Sequence, residues 1–442
     1  HGSGLTGKAV HWERVRLGDV AQVINGFPFP SGGFNNEAGE PVLRIRDITA
    51  GSVGTFFKGN VQGAPRVEHG NLVVGMDGDF NSRLWPGDAA LINQRVCKIA
   101  PDEAVYSKRF LAYVLPGYLK LVNDHTSAVT VKHLSSRTIS DIPLPLPPRP
   151  EQDRLASKLD ELFSRIDEGE RALERVSILV ERYRQSVLKA AVTGELTRAW
   201  REKNKDNLES GESLLARILS ARREAWEKAE LEKMKAKGVT PANDKWKQKY
   251  SEPLSPDITG LPALPDGWVW ASPVQLASIV PNALTIGPFG SNLRVSDYRS
   301  EGVPLIFVRN IRSRLFNKEN GKFVSPEKAK ELASHTTRAG DVLVTKMGEP
   351  PGDACVYPVG SPDAIITADC IKWTLHPLLG CREYFAAFIN SALGRSQIAA
   401  ITKGVAQQKV SLDRFRQIAV AVPGPEEQLL IAERLDVEAQ RL

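Results

Sequence analysis

The chain has 442 residues, 42% hydrophobic, 25% charged and 7% aromatic: long enough for two or three domains with sizeable cores, and unlike a disordered chain, a collagen or a disulfide scaffold. Its net charge of +6 is concentrated, because residues 197–250 hold 14 Lys and Arg against 9 Asp and Glu and leave a net of only +1 elsewhere. A nucleic-acid function must therefore come from pattern, and the lack of any long apolar run or N-terminal signal pattern makes the cytoplasm, away from any membrane, the expected setting.

At the N-terminus Gly2, Gly4 and Gly7 spell G-x-G-x-x-G, but no strand precedes them and Ala9 stands where a phosphate loop needs Ser or Thr, so this motif is set aside. A first unit opens at Trp12 and runs through LGDVAQVI to Ile24. A second copy opens at Trp268 and runs through PVQLASIV to Val280, with Ala21 over Ala277. The loop GFPFPSGGFNN (26–36) follows the first opening, and GPFGSNLRVSDY (287–298) holds that place in the second. Its glycines let the backbone approach a ligand closely, while Ser291, Asn292 and Arg294 can meet phosphates or base edges.

The strand EPVLRIRDI (40–48) matches VPLIFVRNI (303–311), so that Arg44 and Arg46 are answered by Arg309 and Arg312. WPGDAALIN (85–93) matches RAGDVLVTK (338–346), each a Gly-Asp turn feeding an apolar strand, with Arg83 shortly before the first and Lys346 closing the second. A late loop offers Thr130, Lys132 and His133 in the first copy and Lys403, Gln407, Gln408 and Lys409 in the second. Each loop alone is an ordinary surface turn; their recurrence makes these residues the candidate DNA-contacting set.

The closing segments match without a gap. Residues 133–160 lie over 409–436, with identities that include Pro147/Pro423, Glu151/Glu427, Gln152/Gln428, Ala156/Ala432 and Leu159/Leu435. Each reads as a strand stopped by prolines and then a helix with acidic residues in its first turn. From Leu155 the apolar positions Leu159, Leu162, Ile166, Leu173, Val176, Val180, Tyr183 and Val187 keep alternating steps of four and three, with Gly169 the weak member. That spacing predicts one helix over 151–192 with a coiled-coil seam. A second helical segment is expected from Glu212 to Lys237, its charges a solvated face or a docking face for a partner or nucleic-acid backbone, before a proline-rich linker. The order divides the chain into 1–150, a helix over 151–196, a charged segment and linker over 197–262, a second unit over 263–425, and a second helix starting at 426–442.

No enzyme motif stands out. Cys97, Cys355, Cys370 and Cys381 contain no C-x-x-C pair and no His at ligand spacing. Methyltransferase NPPY, helicase ATP-binding, H-E-x-x-H and G-x-S-x-G motifs are missing from the sequence. Asp363, Asp369 and Lys372 approximate a metal-dependent nuclease pattern with one residue too many between the second carboxylate and the lysine. A nuclease is thus the third choice, behind a non-catalytic interaction scaffold with duplicated domains.

The W-x5-G-D-V-A opening, GPFGSNL, the V-R-N-I strand end, A-G-D-V-L-V, the P-P-x-P-E-Q-x3-A helix start and RYRQSVLKAAVTGELTRAWR (182–201) together resemble the specificity subunit of type I restriction-modification enzymes, over nearly the whole chain from Trp12. The resemblance implies an α/β (α+β) fold: two similar target recognition domains with twisted, mainly antiparallel sheets, joined by two long antiparallel coiled-coil helices that act as a ruler. It implies a chain without catalysis, metal or cofactor of its own that reads a bipartite asymmetric site in double-stranded DNA. Two adenine methyltransferase subunits, which use S-adenosylmethionine, and restriction/translocase subunits would be directed to that site. Tyr183, Val187, Leu188, Leu196 and Trp200 are the expected docking surface for the methyltransferase. Only about fifteen residues follow Glu427, so the seam's partner helix is expected to be incomplete within this chain.

Overall fold

Strand Glu13–Arg16 pairs antiparallel with Pro143–Leu146, Glu13 opposite Leu146 and Arg16 opposite Pro143, which clasps the beginning of the first unit to its end. The computed structural model describes residues 11–125, 133–241, 243–319, 321–404 and 408–441, and the chain forms two units, 1–173 and 174–442. Inside the clasp of the first unit lie two sheets. One is antiparallel, in the order Ala21–Asn25, Val96–Pro101, Leu72–Gly75, Ser82–Leu84. The other runs Phe34–Asn35, Phe56–Phe57, Glu40–Leu43, Ala90–Ile92, Arg66–Val67, and its Glu40–Leu43 and Ala90–Ile92 are parallel. Leu72–Gly75 and Ala90–Ile92 are buried at every position, as an uninterrupted apolar run demands. Helix Lys108–His125 covers the antiparallel sheet, contributing Phe110, Leu111, Leu115 and Leu119 to one core with Leu17, Leu72 and Val74.

The second unit repeats this plan, with four strands in its mixed sheet in place of five. Val269–Ala271 pairs with Val420–Val422 as a clasp. The antiparallel sheet is Leu284–Ile286, Cys370–Trp373, Val342–Thr345, Ala354–Val356. The mixed sheet is Lys322–Val324, Val303–Ile306, Ala364–Ile366, Thr336–Thr337, with Val303–Ile306 and Ala364–Ile366 parallel. The expected mixture of helices with mainly antiparallel sheets is the architecture found.

One sequence pairing is corrected. WPGD feeds Ala90–Ile92 of the mixed sheet, whereas RAGD feeds Val342–Thr345 of the antiparallel sheet, so the two turns do not correspond. The counterpart of Gly340-Asp341 is Gly70-Asn71. Both glycines have positive φ, 90° and 77°, which a Cβ would disfavour. Asn71 Oδ1 accepts the N–H of Glu68 at 3.0 Å, as Asp341 Oδ2 accepts that of Arg338 at 2.8 Å. An amide does the work of a carboxylate there, and that replacement hid the match.

Arg149–Val192 is a single helix of 44 residues, close to the expected 151–192. Leu162, Ile166, Leu173 and Val176 on its seam are 43–71% exposed. Near its end Leu188, Ala191 and Val192 are buried in one core with Ile431, Ala432 and Leu435 of helix Pro425–Gln440. Tyr183 Oη donates to Glu438 Oε2 at 2.6 Å and Arg434 to the Leu196 carbonyl, so the C-terminal helix lies along the last turns of the long one. The charged segment folds as helix Gly211–Ala236, capped by Ser210. Among the described residues no helix is long and apolar enough to cross a membrane.

Candidate nucleic-acid interface

The same main-chain frame gathers the polar loops at one place in each unit. In the first, the N–H of Met76 donates to Arg95 O (2.9 Å), that of Leu134 to Met76 O (2.7 Å) and that of Gly26 to Val96 O (3.0 Å). In the second, Lys346 N–H donates to Asp369 O (2.8 Å), Val410 N–H to Lys346 O (2.9 Å) and Gly287 N–H to Cys370 O (3.4 Å). Bridges Asp77–His133 and Met347–Lys409 complete the correspondence. Gly26 and Gly287 are obligatory for a spatial reason: a Cβ would come within 2.0 Å of Asn93 O in one unit and 2.1 Å of the Thr367 carbonyl carbon in the other.

Strand ends feed the same region. Asn93 N–H donates to Leu43 O at 3.1 Å and Thr367 N–H to Ile306 O at 2.9 Å. The residue after each strand is held by a short polar side chain three positions on, Arg44 N–H by Asp47 (2.8 Å) and Phe307 N–H by Asn310 (2.9 Å). Arg46 therefore corresponds to Arg309, and Arg44 to Phe307 rather than to an arginine. The guanidinium of Arg44 lies 5.6 Å from the Phe34 ring and that of Arg309 4.3 Å from Phe307, both arginines staying exposed.

Several expected residues fall where a ligand can reach them. Ser291 and Asn292 are exposed on the turn Gly290–Asn292, and Arg294 caps the next turn with Asp297. Lys346 lies with its ammonium 4.8 Å from the Phe289 ring centre and donates to Ala368 O at 3.3 Å. Burial pushes the Lys346 pKa down, against the opposing pull of Asp369. Lys403 and Lys409 face each other across the hairpin Thr402–Lys403 and Lys409–Val410, with Gln408 beside them. Arg83 reaches Thr49 O at 3.1 Å and Arg312 its own neighbours Val308 and Ile311, and among the described residues neither is bonded to these loops. Lys132 and Gln407, with Thr130, lie outside the described residues.

Two residues at the heart of the first unit's loops escaped the sequence analysis. Asp77, only 11% exposed, accepts from Arg95 Nη1 at 2.5 Å and is 2.6 Å from His133 Nδ1. Neither sits in a repeated motif, and the carboxylate and the guanidinium are eighteen residues apart, so nothing but the fold joins them.

Part of the expected partner surface is taken up by the fold. Leu188 is 7% exposed, and Val187 and Leu196 pack on the same core, so their apolar faces are used by this chain's own fold. That is a correction, caused by the C-terminal helix lying on those turns. Tyr183, 45% exposed, and the half-buried Trp200 remain at the surface. The T-G-E-L-T-x-x-W-R stretch serves a buried cluster. Glu427 accepts from Thr197 Oγ1 (2.6 Å), Arg201 (2.5 Å) and the Trp268 indole (2.9 Å).

No group of three or more His, Cys, Asp or Glu among the described residues could hold a metal ion, and Asp363 is paired with Arg338 at 3.3 Å. All four cysteines are free and buried, their thiols pushed up to about 12 by burial.

Residues 9–175 match the family model described as type I restriction modification DNA specificity domain. The EcoBI specificity subunit of Escherichia coli is 48% identical over 197 residues, 44% of this chain and 42% of that protein. The EcoDI specificity subunit of Escherichia coli is 25% identical over 195 residues, 44% and 41% of the two chains. The matched stretches thus span less than half the length of these relatives. A chain solved in work on complex assembly and conformational transition of the type I R-M system has a TM-score of 0.57 at 17% identity, covering 98% of this chain and 91% of that one. The HsdS subunit from Thermoanaerobacter tengcongensis has a TM-score of 0.52 at 18% identity, covering 100% and 92%. Both likenesses concern the fold.

Proposed function

We propose that this chain, whose residues 9–175 carry a type I restriction modification DNA specificity domain, is the DNA sequence-recognition subunit of a type I restriction-modification system. The observation that carries this is the duplicated frame: the same main-chain bonds present a glycine turn, a strand end and two loops in each unit, with different side chains on each copy. Two similar readers with unequal contact residues suit a bipartite, asymmetric target.

The chain binds and does not catalyse. It directs two adenine methyltransferase subunits and the restriction/translocase subunits, and S-adenosylmethionine belongs to the methyltransferase. Its surroundings are those of chromosomal DNA, in the cytoplasm. The near-neutral charge of the chain outside residues 197–250 fits this division of labour, because base contacts supply discrimination while partner subunits share the phosphate contacts that dominate non-specific affinity.

A gel shift of the full chain against duplex pools at several salt concentrations tests this. A sequence-dependent component that persists above the salt-sensitive background is expected. Binding that is uniform across sequences, or no binding, rejects DNA recognition in favour of a protein-interaction scaffold.

A further inference from the structure

Three positions are superposed by the frame: Asp77 on Met347, Arg95 on Asp369, and His133 on Lys409. The main chain is the same in both units while the side chains are permuted in charge. A position whose backbone is fixed by main-chain bonds and whose side chain is free to differ suits a specificity element, since exchanging it leaves the scaffold's bonds intact.

In the first unit the arrangement is directional. Asp77 is 11% exposed, whereas the Arg95 and His133 side chains it meets are 61% and 64% exposed. A carboxylate close behind an arginine weakens the general attraction of that site for phosphate. What it provides is orientation: it takes one Nη1 hydrogen and holds the plane of the guanidinium. Arg95 makes no other side-chain bond among the described residues, which leaves the Nε–Nη2 fork of a side chain 61% exposed unused by them. Paired donors in a fixed plane match the O6 and N7 acceptors of guanine in the major groove.

We infer that Arg95 is a specificity-determining residue of the first unit, reading a guanine with its free edge, and that Asp77 is the positioning residue that aims it. This rests on the DNA-recognition reading above. The second unit presents Asp369 at the same place, an acceptor in place of a donor, so the two units ask for different bases at corresponding points of their half-sites.

The test is selection of a randomised duplex pool by the full chain, with the bound fraction sequenced. Arg95→Ala is expected to lower the preference for guanine at one base pair of one half-site by about 5- to 150-fold, leaving every other position unchanged. Arg95→Lys, which keeps the charge without the fork, is expected to lose the same preference with an unaltered salt dependence. Asp77→Asn is expected to lose part of it, and the double variant Asp77→Asn/Arg95→Ala to be no worse than Arg95→Ala alone. Circular dichroism melts establish that each variant is folded. An unchanged motif after Arg95→Ala overturns the assignment, as does weakening that is uniform across sequences with a shallower salt slope, the mark of a phosphate contact. If the unaltered chain itself enriches no motif, DNA recognition falls and this assignment with it.

Discussion

The indole N–H of Trp268 donates to Glu427 at 2.9 Å in a site where Glu427 keeps only 5% of its side chain exposed. The first unit repeats the pair as Trp12 and Glu151 at 3.3 Å, with Glu151 21% exposed and the exposed side chains of His11 and Arg154 also beside it. One motif thus has two energetic meanings. Glu427→Ala strands the Arg201 guanidinium and two further buried donors, and it is expected to destabilise the second unit by about 3–5 kcal/mol. Glu151→Ala breaks a wetter pair and is expected to cost far less. Urea unfolding of the two full-length variants compares them, and equal losses would contradict the difference in burial.

Gly26 and Gly287 face carbonyl groups of neighbouring loops, and backbone cannot step aside as a side-chain tip can. Gly26→Ala and Gly287→Ala are each expected to destabilise their own unit by more than about 2 kcal/mol. Gly32→Ala, in the same loop as Gly26 with nothing within 4 Å of its would-be Cβ, is expected to be nearly neutral. Thermal melts of the three variants check the contrast.

The long helix passes without a break through residues 173 and 174, where one unit gives way to the other. If it sets the spacing of two half-sites, deleting the heptad Asp167–Leu173 keeps the seam in phase and shortens the helix by about 10 Å. That equals about three base pairs of DNA rise. Methylome sequencing of cells carrying the variant with its methyltransferase is expected to show both half-sites kept and a spacer shorter by that amount, or no methylation because the half-sites have rotated out of reach. Full activity at the old spacer would show that the helix is no ruler.

Burial raises all four thiols to about 12. A free thiol ionises near 8.5, and only its thiolate attacks a disulfide reagent. Raising the pH from 7 to 9 therefore activates an ordinary cysteine while these remain protonated and enclosed. Ellman's reagent is expected to titrate essentially no thiol in the native chain across that range and all four after unfolding. Rapid native reaction at pH 9 would place at least one cysteine at the surface.

The parts legible in the sequence were those in which a local rule and the fold agree. The step pattern from Leu155 marked the long helix, and the prolines before Glu151 and Glu427 marked where strands stop, because helix periodicity and proline chemistry act within a few residues. Arg46 was aligned with Arg309 for the same reason, each following a buried strand by a fixed number of residues. What stayed hidden depends on long-range contact. Val187 carries the same seam signal as Leu173, yet Val187 is packed on the core while Leu173 is 71% exposed, because only a second helix distinguishes them. Gly70-Asn71 was passed over for a turn of closer spelling, and Asp77 with Arg95 belongs to no motif at all.

The clasp has a mechanical meaning. Glu13 lies opposite Leu146, and Arg16 opposite Pro143, so the chain enters and leaves the first unit at the same end of a two-stranded ribbon. The long helix begins at Arg149, three residues past that exit. Tension drawn between the helix and the start of the ribbon falls first on the outermost rung together with the bonds beside it, Trp12 to Glu151 and Gln152 to Ser107 and Val105, and the ribbon behind them opens pair by pair instead of shearing all four pairs together. The first turns of the helix are thus anchored twice, by the ribbon and by Gln152 and Ala156 buried in the same unit, and opening the ribbon alone does not release the helix.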